Sequence, residues 1–244
     1  MRIDDPFTSM AIDESILRLN AQGEAPNTIR FWRWEPSTVS LGRFQSLSLE
    51  IDQDSADRHN VSIVRRISGG GSVFHDHSGE LTYSVICSED EVSNQIIESY
   101  KMICGGLVRG FEELGLEAEY SPVNDVLVNG KKISGSAQTR QKGSILQHGT
   151  ILIDPDIQKM FEVLKVSKEK ISDKFIKSVY QRVTSVKREL GETPSFEKVR
   201  EAMISGFKDI FSVGFFEEEL NSKEQEMITE FYDKYSSREW TGKR

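Results

Sequence analysis

Residues 124–138, Asn-Asp-Val-Leu-Val-Asn-Gly-Lys-Lys-Ile-Ser-Gly-Ser-Ala-Gln, read as two strands folded back on each other. Asn129-Gly130 is the turn, because a two-residue hairpin needs positive φ at its centre and Asn-Gly accepts it at least cost. Strands are therefore expected near Asn124–Val128 and Lys132–Gln138, with a third at Ser144–Ile153. Further β-branched and aromatic runs bounded by turn formers lie upstream at Thr28–Trp34, Thr38–Leu41, Val61–Arg66, Ser72–Phe74 and Leu81–Cys87. Helical spacing of apolar residues marks a first helix capped by Thr8 or Ser9, and a long one over Ser93–Leu114 that Gly115 ends. Beyond Asp154 the pattern turns helical over Pro155–Leu164, Phe196–Phe211 and Ser222–Tyr235. Strands with helices segregated around them predict an α+β fold, with mixed or antiparallel sheets packed against helices. No repeat, low-complexity tract or linker divides the chain, so residues 1–244 are expected to form one domain.

Composition narrows the function. Of 244 residues, 37% are hydrophobic and 29% charged, which is the balance of a globular chain. No apolar run approaches the roughly 20 residues that span a bilayer, and the acidic start MRIDDPFTSMAIDE is unlike a secretory signal. The expected location is the cytoplasm, with no membrane partner. A net charge of -8 opposes the many phosphate contacts of nonspecific nucleic-acid binding. Cys87 and Cys104 lack the spacing of a metal knuckle or redox pair and read as reduced, buried thiols.

Two segments carry chemistry. In Arg65-Arg66-Ile67-Ser68-Gly69-Gly70-Gly71-Ser72-Val73-Phe74-His75-Asp76, three glycines between strands let the backbone approach a ligand closely and converge its N–H groups on an anion. Arg65 or Arg66 would add a planar cationic fork. The segment is no P-loop, since the Gly-Lys-Ser/Thr ending is absent. In the hairpin, alternation sends Lys131 and Lys132 to opposite faces, so one of them points into a pocket. An ammonium there neutralises oxygens on which charge builds up. Gly135, Ser136 and Ala137 leave room for an elongated ligand, and Trp32, Trp34 and Phe74 are candidates for the wall of an apolar tunnel. His75, Asp76 and His77 resemble a metal cluster only superficially; a hydrogen-bonded histidine closing the loop accounts for them. His148 reads as a pocket-shaping residue.

These segments resemble the lipoate-protein ligase A family within the biotin and lipoate ligase superfamily. RRISGGGSVFHD is similar to that family's glycine-loop signature, and NDVLVNGKKISGSA to its Asn-Asp and Gly-x-Lys-Lys-Ile-x-Gly-x-Ala segments. The likeness extends to SMAIDESI, IRFWRWEPSTVSLGRFQ, QKGSILQHGTILID and the closing SSREW. The resemblance implies that ATP and lipoate form lipoyl-AMP, whose acyl group passes to a lysine of a lipoyl-domain acceptor, such as a 2-oxoacid dehydrogenase E2 subunit or a glycine cleavage H protein. It assigns Lys132 as the catalytic lysine. It gives Arg66, Gly70, Gly71, Ser72, Val73, Phe74, Asn124 and Asp125 to ATP and lipoyl-AMP, with Asp125 a candidate ligand of Mg²⁺. Arg66, Ser68, His75, Gly135, Ser136, Ala137 and His148 fall to the lipoate pocket. The chain resembles the shorter ligases, in which the C-terminal accessory domain is a separate polypeptide, so an accessory subunit is expected.

The nearest alternative is an octanoyltransferase that takes a carrier-bound acyl group, because GSAQTRQKGSILQHG is also similar to that family. Such transferases use a cysteine in a longer insertion before the lysine strand, and SPVNDVLVNGKK has none. That missing thiol puts the ligase first. A biotin ligase and a noncatalytic acyl-binding subunit remain as further alternatives; the glycine-loop wording speaks against the former, and retention of the arginine-glycine loop and Lys132 against the latter.

Overall fold

The computed structural model describes residues 2–165 and 181–243. Its first helix, α1 (Pro6–Asn20), starts earlier than expected. Asp5, not Thr8 or Ser9, is the cap: its carboxylate accepts the N–H groups of Phe7 and Thr8, and Pro6 fills the position where no donor is needed.

Strands β1 (Arg2–Asp4), β2 (Thr28–Trp34), β6 (Glu80–Ser88), β7 (Ala118–Ser121), β8 (Asp125–Val128), β9 (Lys131–Gln141) and β10 (Ser144–Leu152) form one sheet. Their order is β1-β2-β6-β10-β9-β8-β7, antiparallel throughout except for the β1–β2 pair. A smaller sheet sets β3 (Thr38–Leu41) between a parallel β4 (Ser62–Arg65) and an antiparallel β5 (Val73–His75). Helices α2 (Leu47–Glu50), α3 (Gln53–Arg58) and α5 (Ile157–Val163) flank it. Mixed sheets with separately placed helices make this an α+β fold.

The two central strands of the large sheet are covered on both faces, and their side chains divide by alternation. On β6, Leu81, Tyr83, Val85 and Cys87 face a core built with α4 (Ile96–Glu113) and a later helix, α7 (Phe196–Phe211). Ile86 faces the opposite core with Trp32, Trp34 and α1. Helix α8 (Ser222–Ser236), started by a capping box between Asn221 and Glu224, packs its Phe231 and Tyr235 on α1. There the carboxylate of Glu14, 1% exposed, takes Lys234, Arg18 and the hydroxyl of Tyr235. Burial raises its pKa, but these partners outweigh burial and leave it lower than usual.

Helices α4 and α7 meet through glycine. A Cβ on Gly206 would lie 2.2 Å from the Gly106 carbonyl oxygen and 2.4 Å from the Gly110 nitrogen, so the backbones themselves touch. Short helices α6 (Val186–Leu190) and α9 (Arg238–Thr241) complete the described α-helices. None of the described helices is long and apolar enough to cross a membrane.

Candidate active site

The Asn129-Gly130 turn forms as read, with φ of 51° and 71°, and pairs Leu127 with Lys132 and Val128 with Lys131. Lys132 turns toward a cavity of about 360 Å³, and Lys131 does not line it. The Lys132 side chain lies over Gly135, where a Cβ would come within 2.5 Å of Nζ, so glycine is what makes room for it. Lys132 Nζ is paired with Asp125 at 2.7 Å and stays 39% exposed, a cation held in place but open to a ligand. Asn124 donates from its amide to the Ser136 carbonyl, and it lines the cavity together with Gly135, Ser136 and Ala137. Asp125 does not line it.

The glycine loop forms the facing wall. Gly70, Gly71, Ser72, Val73 and Phe74 all border the cavity, and Gly70 has a φ of 93°, open to glycine alone without strain. Beneath them Arg66 is 4% exposed and commits every one of its guanidinium N–H groups inward. Nε donates to Ser68 Oγ, Nη1 to the Ser40 carbonyl and hydroxyl, and Nη2 to the carbonyls of Gly69 and Gly71, at 2.7–3.1 Å. Burial lowers its pKa to about 10, which leaves it charged at neutral pH. Arg66 thus braces the loop through carbonyl oxygens, with no donor left for a free anion. The neighbouring Arg65 points the other way, fully buried, and ties Gly42, Arg43 and Gln45 to Trp240 and Thr241 of α9.

Behind the loop run two Ser-His-acid chains. Ser68 Oγ lies 2.6 Å from His148 Nε2, and His148 Nδ1 lies 3.0 Å from Asp13. Burial pulls the His148 pKa down. Asp13 is raised by burial but drawn below its usual value overall by Arg30, with which it is paired, and by His148 and Ser84. In the second chain Ser40 Oγ lies 2.8 Å from His75 Nε2, and His75 Nδ1 lies 2.8 Å from Glu80. His148 and His75 border the cavity, and Ser68 does not. Among the described residues no group of three or more His, Cys and carboxylate side chains is placed to hold a metal ion.

Most of the rest of the wall is apolar, with Thr82, Thr150 and Asp156 as the polar exceptions. Trp32, Trp34 and Phe74, read as tunnel candidates, do line the cavity. They are joined by Met10, Leu152, Ile157, Met160 and Leu164, none of which carries a local motif. Cys87 and Cys104 are buried free thiols, neither bordering the cavity, and burial raises their pKa values to about 12 and about 11.

A sheet-borne lysine thus faces a braced glycine loop across a largely apolar cavity. The chain belongs to the lipoyl protein ligase A/B catalytic domain family, whose model matches residues 5–208. Within it, the octanoyltransferase LipM of Brevibacillus brevis is 36% identical over 98% of this chain and 95% of its own length. That of Macrococcus caseolyticus is 35% identical over 99% and 96%. A solved structure from Thermoplasma acidophilum, described as a bi-partite lipoate protein ligase and its E2 lipoyl domain, matches with a TM-score of 0.89 and 33% identity, covering 99% of this chain and 94% of that one.

These relatives overturn the expectation of an ATP-dependent ligase. Relatives matched over nearly their full length are named octanoyltransferases and not ligases, so the ligase reading is withdrawn, and ATP, Mg²⁺ and lipoyl-AMP lose their basis with it. Asp125 loses the metal role with them; its carboxylate pairs with Lys132. The missing thiol had put the ligase first, and relatives matched over nearly the whole chain reverse that order.

Proposed function

We propose that residues 1–244 act as one catalytic domain that transfers a medium-chain acyl group, of the octanoyl class, from a carrier thioester to the ε-amine of a lysine on a lipoyl-domain acceptor. The observation that carries this is the apolar cavity with Lys132 at its polar rim, in a chain that matches octanoyltransferases over nearly its whole length. At about 360 Å³ the cavity is near the small end of ligand pockets, roughly 300–1,000 Å³, and suits one acyl chain.

In this reading the alkyl chain lies among Trp32, Trp34, Phe74 and Met160, where burial of each methylene contributes about 0.8 kcal/mol. The thioester carbonyl rests near Lys132. As a nucleophile adds to it, negative charge grows on the carbonyl oxygen, and the ammonium stabilises it where solvent is partly excluded. Asp125 keeps Nζ oriented. Over the whole transfer the C–S bond breaks, the thiol leaves with a proton taken in balance from the acceptor amine, and an amide remains. The lipoyl-domain acceptor is supported by the E2 lipoyl domain in the description of the archaeal neighbour, and its bi-partite form supports an accessory subunit as an optional partner.

The test is mass spectrometry of a lipoyl domain incubated with this chain and octanoyl-carrier protein without nucleotide, against a parallel mixture of free lipoate and ATP, each with and without an accessory subunit. Lysine octanoylation in the first mixture, reduced about 10²–10³-fold by Lys132→Ala, is the expected result. Modification only in the second would refute the transferase, and modification in neither would leave a noncatalytic subunit.

A further inference from the structure

A transferase without a thiol in its cavity needs another way to hold or activate the acyl group. The Ser40-His75-Glu80 chain opens on that cavity and takes no part in the chemistry above. Ser40 and His75 both border it, while Glu80 sits behind, fully buried. Glu80 Oε1 lies 2.8 Å from His75 Nδ1 and also accepts the Thr82 hydroxyl at 2.6 Å. Its other oxygen, Oε2, is buried with no partner among the described residues, an electrostatic cost that a purely structural carboxylate would be expected to avoid. A carboxylate only accepts, so Nδ1 carries the proton and Nε2 is the free base facing Ser40 Oγ at 2.8 Å. Trp34 stacks on the imidazole with ring centres 4.4 Å apart and fixes its plane, and Trp34 Nε1 donates to Thr82 at 2.6 Å. The Arg66 guanidinium donates to Ser40 Oγ at 3.1 Å, favouring negative charge there. The sister chain lacks this access: Ser68 is fully buried away from the cavity, and Asp13 is shared with Arg30.

We infer that Ser40 is an acyl-carrying nucleophile, with His75 as its general base and Glu80 orienting and stabilising the imidazole. The inference rests on the acyl-transfer reading. Ser40 Oγ gives its proton to His75 Nε2 and attacks the thioester carbonyl carbon. The C–S bond breaks, His75 returns the proton to the departing sulfur, and the octanoyl group remains on Ser40 as an ester. The acceptor lysine, entering as the free amine, attacks that ester. His75 takes the amine proton and hands it to Ser40 Oγ as the C–O bond breaks, which leaves an amide and the starting enzyme.

The experiment is intact-protein and peptide mass spectrometry of the chain after brief exposure to octanoyl-carrier protein, followed by neutral hydroxylamine or by a lipoyl domain. One octanoyl group on the Ser40 peptide is expected, resistant to hydroxylamine concentrations that strip thioesters and discharged by the lipoyl domain. Ser40→Ala abolishes the adduct and lowers transfer by at least about 10³-fold. Ser40→Cys, which keeps size and a nucleophile, takes an adduct that hydroxylamine now removes, so loss of folding is not mistaken for loss of chemistry. Transfer at the wild-type rate by Ser40→Ala, or an octanoyl group on Cys87 or Cys104, overturns the role of Ser40 and leaves the transferase standing. Absence of both adduct and lysine product with any carrier thioester removes the transferase reading itself, and Ser40 with it.

Discussion

Placing a methyl group on Gly206 tests whether the α4–α7 contact sets the packing behind the site. The added carbon would sit 2.2 Å from the Gly106 oxygen, 2.4 Å from the Gly110 nitrogen and 3.0 Å from the Gly110 Cα, all backbone atoms that no rotamer change can move aside. The helices must separate by about 1 Å to restore ordinary contact. Overpacking of this kind costs about 1–3 kcal/mol, and alanine returns about 1 kcal/mol of helix propensity, so Gly206→Ala is expected to lose up to about 2 kcal/mol net. For a chain of this size that corresponds to a fall of up to roughly 8 °C in Tm. Gly105→Ala is the control: it is also helical, but its nearest neighbour would be Ile210 Cδ1 at 3.4 Å, an ordinary contact. Only the propensity gain is left there, so it should be neutral or more stable by up to about 1 kcal/mol. Urea denaturation of both variants with m-values compared to wild type makes the measurement. If Gly206→Ala is as stable as Gly105→Ala, the backbone contact does not govern the pairing and the reasoning fails.

Glu14 gives a pH-dependent prediction. Its folded pKa is lowered from 4.5, so its contribution is present above that value and is lost as pH falls through the depressed one. Glu14→Gln should cost about 2 kcal/mol at pH 7, less than a fully buried pair because Lys234 and Arg18 are partly exposed, and should flatten the acid limb of a stability-pH curve below about pH 4.5. An unchanged limb would show that the carboxylate is not the titrating group. Gly42→Ala sets a Cβ 2.0 Å from the Gly70 oxygen and should displace the glycine loop, raising KM for the acyl donor about tenfold with little change in the α1–α8 core; equal losses everywhere would contradict a local effect. Arg65→Met removes the cation whose hydrogen bonds join Gly42, Arg43 and Gln45 to Trp240 and Thr241, so limited proteolysis should cleave within α9 several times faster, and unchanged digestion would count against it.

The repeating patterns in the chain were legible. Thr28–Trp34, Thr38–Leu41 and Phe196–Phe211 form over the spans read from their apolar spacing, because those segments bury what their pattern says they bury. Short elements were not: α3 and α6 have six and five residues, too few for a period, and β1 and β7 are held by sheet pairing and carry no strong strand composition of their own. The loop and the lysine announced themselves through glycine and the hairpin turn. The Arg66 fork was read as a ligand clamp; Arg66 borders the cavity and also braces the loop's carbonyls, a contact that nothing local foretells. Ser40 and Glu80 gave no signal at all. Each is an ordinary strand residue, and only the pairing of β3 with β5 and the turn into β6 bring them to the two nitrogens of His75.

Arg65 and Arg66 are consecutive on one strand end and reach in opposite directions, one holding α9 and the other the carbonyls of the glycine loop. The tail of the chain and the wall of the cavity are therefore fastened to the same peptide unit. Anything that grips or tugs α9 enters the frame of the site one residue away from its brace, so the far end of the sequence is, in mechanical terms, next door to the chemistry.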